Sequence, residues 1–315
     1  MMERYDRAGF YGYHLAEHHA TPLGIAPSPS VFLAAAAQRT KQLRLGPTVF
    51  CLPLYHPVRL FEEICMLDQL SRGRFQFGIG RGISPIEASY YGLDADALPG
   101  MFEEALDLIL AALAGGEDGE LTFKGEHYKV EGMPLELWPV QRPHPPLWYG
   151  IVRPDRVDWL AERSVNLLTN RAADAARPVF DAYREAWAKT GRPAADLPLM
   201  GITRHIVLAE SDDAARRIAE RAYKPWRHAF YKLWEKYGQA PINVVLPETY
   251  AGAVEQGIAH AGSPDTVLAA LTDDLTRAGA TYAVLRFVFG DMSASEMQTS
   301  FDLFQERLQP SLQAL

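Results

Sequence analysis

The chain of 315 residues, 48% of them hydrophobic, can bury a full-sized core, most simply as one large α/β domain, although two domains remain possible. Its formal net charge of -8, without a basic cluster, argues against nucleic acid as a partner. The charged amino terminus, the lack of an apolar run long enough to cross a bilayer, and two cysteines without metal or disulfide spacing predict a cytoplasmic protein with no membrane partner.

Strand-like and helix-like segments alternate along the chain, after a first segment, residues 1–8, that resembles the end of a helix. The predicted strands are residues 11–16, 43–52, 75–79, 147–152, 165–169, 202–208 and 282–289. The predicted helices are residues 31–40, 57–70, 102–113, 154–163 and 175–189, one opened by Ser211, one from Ser263 to Gly279, and one opened by the capping box of Ser293 and Glu296.

Two segments depart from this alternation. Residues 120–130 alternate in polarity and predict a surface hairpin, whereas residues 237–261 are rich in Gly, Pro and polar residues and predict a long mobile loop that could act as a lid. Repeated βα units predict a parallel sheet, either an open doubly wound sheet or a closed barrel. For an eight-stranded barrel the missing unit would be the first strand, so that the chain would begin late.

The stretch from Gly73 to Gly82 predicts an anion site. Its apolar centre predicts a short buried strand, which the backbone leaves through Gly80 and Gly82 with Arg81 between them. Glycines let the main chain approach a ligand, and a fixed guanidinium can bind two phosphate oxygens. A βα turn whose arginine forms a surface ion pair has the same pattern, and the residues leave both interpretations open.

A second chemically distinctive stretch begins at His14. Together with Glu17 and His18 it matches a zinc-protease pattern, but that chemistry requires a helix, and the glycines and alternation before it predict a strand. The strand would present Glu17, His18 and His19 at the edge of the sheet where ligands bind. There a histidine can act as a general base and a carboxylate can fix its tautomer, although a hydrogen-bonded turn histidine remains the alternative.

Gly9-Phe10, the LAEHH segment at residues 15–19 and the run from Leu45 to Gly82 resemble the bacterial luciferase-like monooxygenase family, notably the luciferase catalytic subunit. The similarity continues more loosely to residues 289–293 and so covers nearly the whole chain. It implies a single TIM (β/α)8 barrel domain over residues 1–315, lacking its first strand in this chain. It also implies reduced FMN from a separate flavin reductase, and O2, which together oxidise a small organic substrate. One branch of the family uses a deazaflavin instead.

The resemblance also implies residue roles. His18 matches the catalytic base, flanked by Glu17 and His19. Thr48 and Val49 fall where a non-proline cis peptide supports the flavin ring.

The remaining matches concern the flavin phosphate. Arg81 matches a phosphate-binding arginine, and Val152, Arg153 and Arg156 fall on the second part of the phosphate site, at a helix amino end. Luciferase has small hydroxyl residues where Arg153 and Arg156 stand, so we expect backbone contacts there. Gly80 replaces a reactive cysteine.

Several alternatives remain open. Helices 30–40 and 57–70 occupy the positions that pair in luciferase dimers, which implies a homodimer or a luciferase-like heterodimer, but covering the barrel would equally satisfy their apolarity. Besides the FMN-dependent monooxygenase, the hypotheses are a deazaflavin-dependent oxidoreductase and a non-catalytic flavin-binding partner subunit. The substrate is not predicted, because the pocket loops are the least similar part. The aromatic residues that could be barrel packing or substrate wall are Tyr11, Tyr13, Phe50, Trp148 and Tyr149.

Overall fold

The computed structural model describes residues 1–82, 84–241 and 244–313. The chain divides into two compact units, Met1–Gly150 with Ala240–Ile242 and Ile151–Gln239 with Asn243–Leu315. The single barrel domain expected for residues 1–315 stays a prediction. Within the described part of the chain, no helix is both long enough and apolar enough to cross a membrane.

The first unit contains seven strands and five helices within its described residues. They are α1 (Met2–Arg7), β1 (Gly12–Leu15), α2 (Pro29–Arg39), β2 (Arg44–Pro47), β3 (Phe50–Cys51), α3 (Pro57–Ser71), β4 (Phe77–Gly80), α4 (Pro85–Ser89), α5 (Leu98–Ala114), β5 (Glu120–Lys124), β6 (Lys129–Pro134) and β7 (Leu147–Gly150). Strands β5 and β6 form the antiparallel hairpin that the sequence predicts. The other pairings, β1 with β2, β3 with β4 and β4 with β7, are all parallel, as expected of βα units.

Close strand packing in the first unit explains two of its glycines. A Cβ at Gly78 would lie 2.0 Å from the Pro47 carbonyl oxygen, and one at Gly46 would lie 2.7 Å from the Gln76 carbonyl oxygen. Because the obstacle is backbone in both cases, only glycine fits. Phe50 and Trp148 are fully buried, and this agrees with barrel packing.

The second unit holds four strands and seven helices within its described residues. They are α6 (Val157–Glu162), β8 (Asn166–Thr169), α7 (Ala173–Lys189), β9 (Met200–Leu208), α8 (Asp212–Lys236), α9 (Tyr250–Glu255), β10 (Ala259–Gly262), α10 (Pro264–Ala278), β11 (Tyr282–Arg286), α11 (Ala294–Leu303) and α12 (Gln309–Leu312). Strand β9 is buried along its whole length and pairs in parallel with β8, β10 and β11. Alanines at positions 215, 219 and 222 give α8 a smooth stripe that packs into the core of this unit.

The structure confirms all seven predicted strands. Most are shorter than predicted, whereas β9 begins two residues earlier, at Met200, and β4 is shifted to Phe77–Gly80. The predicted strand 43–52 consists of β2 and β3, and the predicted strand 282–289 ends at Arg286. The loop predicted for residues 237–261 is wrong for its second half, which contains α9 and β10; residues 242 and 243 lie outside the described residues. Strand β10 is short and gains its conformation by pairing with β9, which local composition does not reveal.

A buried polar network fastens β9 to α10. Arg204 is fully buried and donates two hydrogen bonds to the Asp274 carboxylate, and His260 Nε2 lies 3.1 Å from the same group. Burial raises the pKa of Asp274, but the hydrogen bonds from His260 and Arg204 outweigh it and hold the pKa below its usual value. The carboxylate is therefore ionised at neutral pH and balances the buried guanidinium.

We expect Asp274→Asn to destabilise the protein by about 3–5 kcal/mol, because it leaves the Arg204 guanidinium buried without a counter-charge. The matched control is Asp273→Asn, which removes an exposed ion pair with Arg277 and is expected to cost about 0–1 kcal/mol. Urea unfolding measures both. Since the folded-state pKa of Asp274 is depressed, the advantage of the wild type persists above about pH 4 and is lost as the pH falls through that pKa. Equal, small losses in both variants would contradict the ion pair's importance.

Candidate functional site

The predicted catalytic and cofactor-binding residues of the first unit follow the carboxyl ends of its parallel strands. Glu17, His18 and His19 follow β1, the Thr48-Val49 pair follows β2, and Arg81 follows β4. The ends of β1 and β2 are tied together by a hydrogen bond of 2.7 Å from the Thr48 amide to the Leu15 carbonyl. Carboxyl ends of parallel strands are where barrels and open α/β sheets bind ligands.

Glu17 is buried, and its hydrogen bonds connect the segment after β1 with β3 and with the residues that follow β3. Its carboxylate accepts hydrogen bonds from the Cys51 amide, the Tyr55 hydroxyl and His19 Nε2, each at 2.8 Å. Burial raises the pKa of the Cys51 thiol well above its usual value, and the nearby Glu17 charge adds to this effect. The thiol therefore stays protonated, and Glu17 acts as an anchor for its neighbours.

His19 pairs with this anchor. The hydrogen bond to Glu17 is the largest cause that raises the pKa of His19 above 6.5, and it outweighs the opposing effect of burial. On the other side of the ring, the Tyr91 hydroxyl lies 2.8 Å from Nδ1. Both ring nitrogens are therefore occupied, and His19 retains its proton to a higher pH than a free histidine.

His18 pairs with a different carboxylate. Its Nδ1 lies 3.3 Å from Glu87 Oε1, and the other Glu87 oxygen accepts the His19 amide at 2.7 Å. Since an ionised carboxylate only accepts, Nδ1 carries the proton, and in neutral His18 the Nε2 lone pair is available. No described residue forms a hydrogen bond with Nε2. The arrangement can accept a proton at Nε2 while Glu87 stabilises the resulting charge.

The Thr48–Val49 peptide bond is cis, as the resemblance implies. The Thr48 hydroxyl lies 2.8 Å from His14 Nδ1, and the Trp148 ring contacts His14 edge-on with centroids 4.7 Å apart. Desolvation lowers the pKa of His14 to about 4. At neutral pH, His14 therefore presents an uncharged imidazole beside the cis peptide.

Arg81 is exposed, and no carboxylate of the described residues lies within ion-pair distance of it. The chain then turns through Gly82 at φ +80°, in the left-handed region. A Cβ at Gly80 would lie 2.4 Å from Val49 Cγ2, so the glycine lets β4 pass close to the segment that carries the cis peptide. An exposed guanidinium after a glycine-lined strand end suits the phosphate of a flavin. The residues present therefore fit that cofactor.

Val152, Arg153 and Arg156 belong to the second unit. Arg153 forms an exposed ion pair of 3.5 Å with Asp155, and the Arg156 guanidinium lies 4.8 Å from the centre of the Trp159 ring. A single 3-10 turn, Pro154–Arg156, precedes α6, so the α-helix itself begins after Arg156. The cofactor role of these three residues stays a prediction.

Sequence reasoning missed three residues of the site, Tyr55, Glu87 and Tyr91, and named His14 only as part of a zinc-protease pattern. Glu87 lies 69 positions beyond His18, and only the fold brings the two together. The one local signal was Ser84-Pro85, an N-cap that starts α4 and so places Glu87 in its first turn. No group of three or more potential ligands is placed to hold a metal ion anywhere in the described ranges.

The sequence comparisons identify relatives along nearly the whole chain. The family model described as luciferase-like monooxygenase matches residues 1–282. The uncharacterised protein y4wF of Sinorhizobium fredii is 41% identical over 93% of this chain and 84% of its own length.

Two monooxygenases match less of the chain. Limonene 1,2-monooxygenase of Rhodococcus erythropolis is 43% identical over 36% of this chain and 30% of its own length. The oxygenase component of the flavin-dependent trigonelline monooxygenase of Acinetobacter baylyi is 27% identical over 67% of this chain and 58% of its own length.

Three solved structures share the fold at 24% identity or less. Monooxygenase RslO1 of Streptomyces bottropensis has a TM-score of 0.86 and covers 98% of this chain and 92% of its own. The oxygenating component of the 3,6-diketocamphane monooxygenase from Pseudomonas putida, in complex with FMN, scores 0.80 at 20% identity, with coverages of 98% and 90%. The coenzyme F420-dependent tetrahydromethanopterin reductase of Methanopyrus kandleri scores 0.72 at 19% identity, with coverages of 99% and 93%. The predicted fold class, a luciferase-like TIM barrel, is confirmed.

We expect Glu17→Gln to lower the pKa of His19, because the amide keeps a hydrogen-bond acceptor but removes the negative charge. Histidine NMR titration of the folded protein measures the change, with Glu3→Gln, a surface carboxylate paired with Arg39, as the control. Because the pKa of His19 is raised in the wild type, its stabilising contribution is complete below pH 6.5 and disappears as the pH rises through the folded-state value. An unchanged His19 titration in Glu17→Gln would assign the shift to another group.

Proposed function

The chain belongs to the luciferase-like monooxygenase family and is therefore an oxidoreductase of the monooxygenase class, and we propose that it uses reduced FMN and O2 to oxidise a small organic substrate. The observation that carries this proposal is the His18–Glu87 pair, which leaves one histidine nitrogen available for proton transfer. The same unit presents Arg81, an exposed cation suited to a flavin phosphate. The FMN complex of a protein with the same fold supports FMN as the cofactor.

Different residues would bind the phosphate and the ring of the cofactor. Arg81 would bind the phosphate, and the Thr48-Val49 segment would lie against the ring. The resemblance also predicts phosphate contacts, chiefly through backbone groups, for Val152, Arg153 and Arg156 of the second unit. A reduced flavin supplies the electrons for oxygen activation, and the protein provides orientation and proton transfer.

His18 is the proposed general base and acid. With Nδ1 bound to the Glu87 carboxylate, the imidazole presents Nε2 in a fixed orientation, from which it would take up and release a proton. Glu17 and His19 would position this pair, because the His19 amide donates to Glu87 while its ring is held by Glu17. Removing Glu17 would therefore act on the reaction through His19.

A flavin reductase and a second protein chain are the proposed partners. The relative from Acinetobacter baylyi is named as the oxygenase component of a flavin-dependent monooxygenase, and this name supports a separate component, a flavin reductase, as the source of reduced flavin. The outer faces of α2 and α3 expose apolar side chains, with Val31 at 72%, Met66 at 52% and Leu70 at 43%. We propose that the exposed faces of these helices form the interface of a homodimer or of a luciferase-like heterodimer.

Two alternative functions can be distinguished from the proposed one by experiment. The similarity to an F420-dependent reductase favours a deazaflavin-dependent hydride transfer, which would reduce the deazaflavin without O2. A non-catalytic partner subunit would bind flavin stoichiometrically without turnover. Incubation with reduced FMN and 18O2, or with deazaflavin without O2, over a panel of terpenes, cyclic ketones and aldehydes separates the three by mass spectrometry and absorbance.

We expect Arg81→Met to weaken FMN binding about 10- to 100-fold, the loss of one charge-assisted phosphate contact. Riboflavin, which lacks the phosphate, should bind wild type and variant equally. Arg217→Met is the matched control, since Arg217 is an exposed arginine of the second unit. Isothermal titration calorimetry gives the affinities, and a parallel loss for riboflavin would show that Arg81 supports the fold instead of the phosphate.

We expect His18→Asn to reduce 18O incorporation about 10²- to 10⁴-fold while FMN binding stays within about twofold, because the change removes proton transfer and leaves a polar side chain. His228→Asn, an exposed histidine of α8, is the control. Coupled oxidation at the wild-type rate in His18→Asn would remove His18 from the mechanism.

A further inference from the structure

A histidine and an arginine lie side by side in the second unit, outside the residues assigned to the flavin. In the parallel pairing, His205 of β9 stands between Ala259 of β10 and Arg286 of β11. Residues paired in this way project from the same face of a sheet. Arg204 projects from the opposite face, where Asp274 of α10 binds it. His205 and Arg286 therefore share the face that points away from α10.

The imidazole of His205 has an unsatisfied polar atom. The residue is 6% exposed, and its Nε2 is buried without a hydrogen-bond partner among the described residues. The ring lies between Trp226 and Phe289, with centroids 4.3 Å and 4.8 Å away. A buried polar atom without a partner is unfavourable, and a bound group that accepts a hydrogen bond from it would satisfy it. Desolvation, and secondarily Arg286, hold the pKa of His205 well below its usual value, so the ring is neutral.

Arg286 provides a cation beside this nitrogen. It is exposed by surface area, and it forms no ion pair with any residue that the structure describes. Desolvation nevertheless lowers its pKa to about 10. At neutral pH it remains protonated. The pair thus presents one positive charge, an imidazole nitrogen and two aromatic rings.

We propose that His205 and Arg286 bind the carboxylate of an organic acid whose apolar or aromatic body packs against Trp226 and Phe289. A guanidinium binds a carboxylate through two parallel hydrogen bonds, and the His205 Nε2–H tautomer donates a third. A single positive charge matches a carboxylate better than a phosphate dianion, and aromatic walls favour an organic body over an inorganic ion. The site takes its ligand through residues of the second unit alone and does not depend on the flavin.

The test uses the full-length protein without flavin. Benzoate and indole-3-acetate are the probes, benzamide and indole-3-acetamide are their neutral counterparts, and inorganic phosphate is the third arm. Calorimetry and tryptophan fluorescence report binding, and Trp226→Phe should remove most of the fluorescence change. We expect the acids to bind at least tenfold more tightly than the amides and more tightly than phosphate.

Two substitutions assign the contacts. Arg286→Met should weaken acid binding at least tenfold without changing amide binding, whereas Arg217→Met should change neither. Because His205 is buried, His205→Asn is tested beside Arg286→Met. FMN affinity is measured on every variant, and an unchanged value shows that the fold and the flavin site are intact. Acid binding that is unaffected by Arg286→Met, equal binding of the amides, tighter binding of phosphate, or no binding of either acid would each overturn the proposal.

Discussion

The candidate site depends on two carboxylates that the fold carries into the segment after β1. Glu17 and Glu87 between them accept five hydrogen bonds from His18, His19, Cys51 and Tyr55, and the two histidines are thereby held in different states. Glu17 holds His19 in place with both ring nitrogens occupied. Glu87 occupies only one nitrogen of His18, and no described residue forms a hydrogen bond with the other. In the proposed function the adjacent histidines would therefore take a structural and a proton-transfer role, because different elements supply their partners.

In three histidines that are at least partly buried, the direction of the pKa shift follows whether a carboxylate bonds to the ring. The pKa of His19 is raised because Glu17 bonds to it, whereas the pKa of His14 falls to about 4 because desolvation acts without a carboxylate. His205 in the second unit follows the second case, and its pKa is lowered further by Arg286. Neutral imidazoles of this kind suit the recognition of polar ligand groups, and a paired imidazole suits proton exchange.

The sequence predicts the repeating βα order, the capped helices and the strand ends because each has a local signature. The stretch through Arg81 predicts a cation after a glycine-lined strand, and Ser263 and Gly279 mark the ends of α10. The partners of His18 and His205 have no such signature. Glu87 reaches His18 through a contact across 69 positions, and Arg286 meets His205 only because β9 and β11 pair in one register. Strand β10 escaped prediction for the same reason, since its conformation depends on its neighbour.

Strand β9 illustrates how one short segment serves stability and recognition at once. Successive side chains of a strand point to opposite faces, so Arg204 and His205 enter different environments although they are neighbours in the chain. Arg204 binds Asp274 of α10, whose carboxylate also pairs with His260 of β10, and the carboxylate balances its charge. His205 finds aromatic rings and an arginine but no hydrogen-bond partner for Nε2 within the described residues. A fold tolerates few buried polar groups without hydrogen-bond partners. Arg204 on one face of β9 has its partners, whereas His205 Nε2 on the other face has none among the described residues, and this gives a ligand a physical reason to bind there.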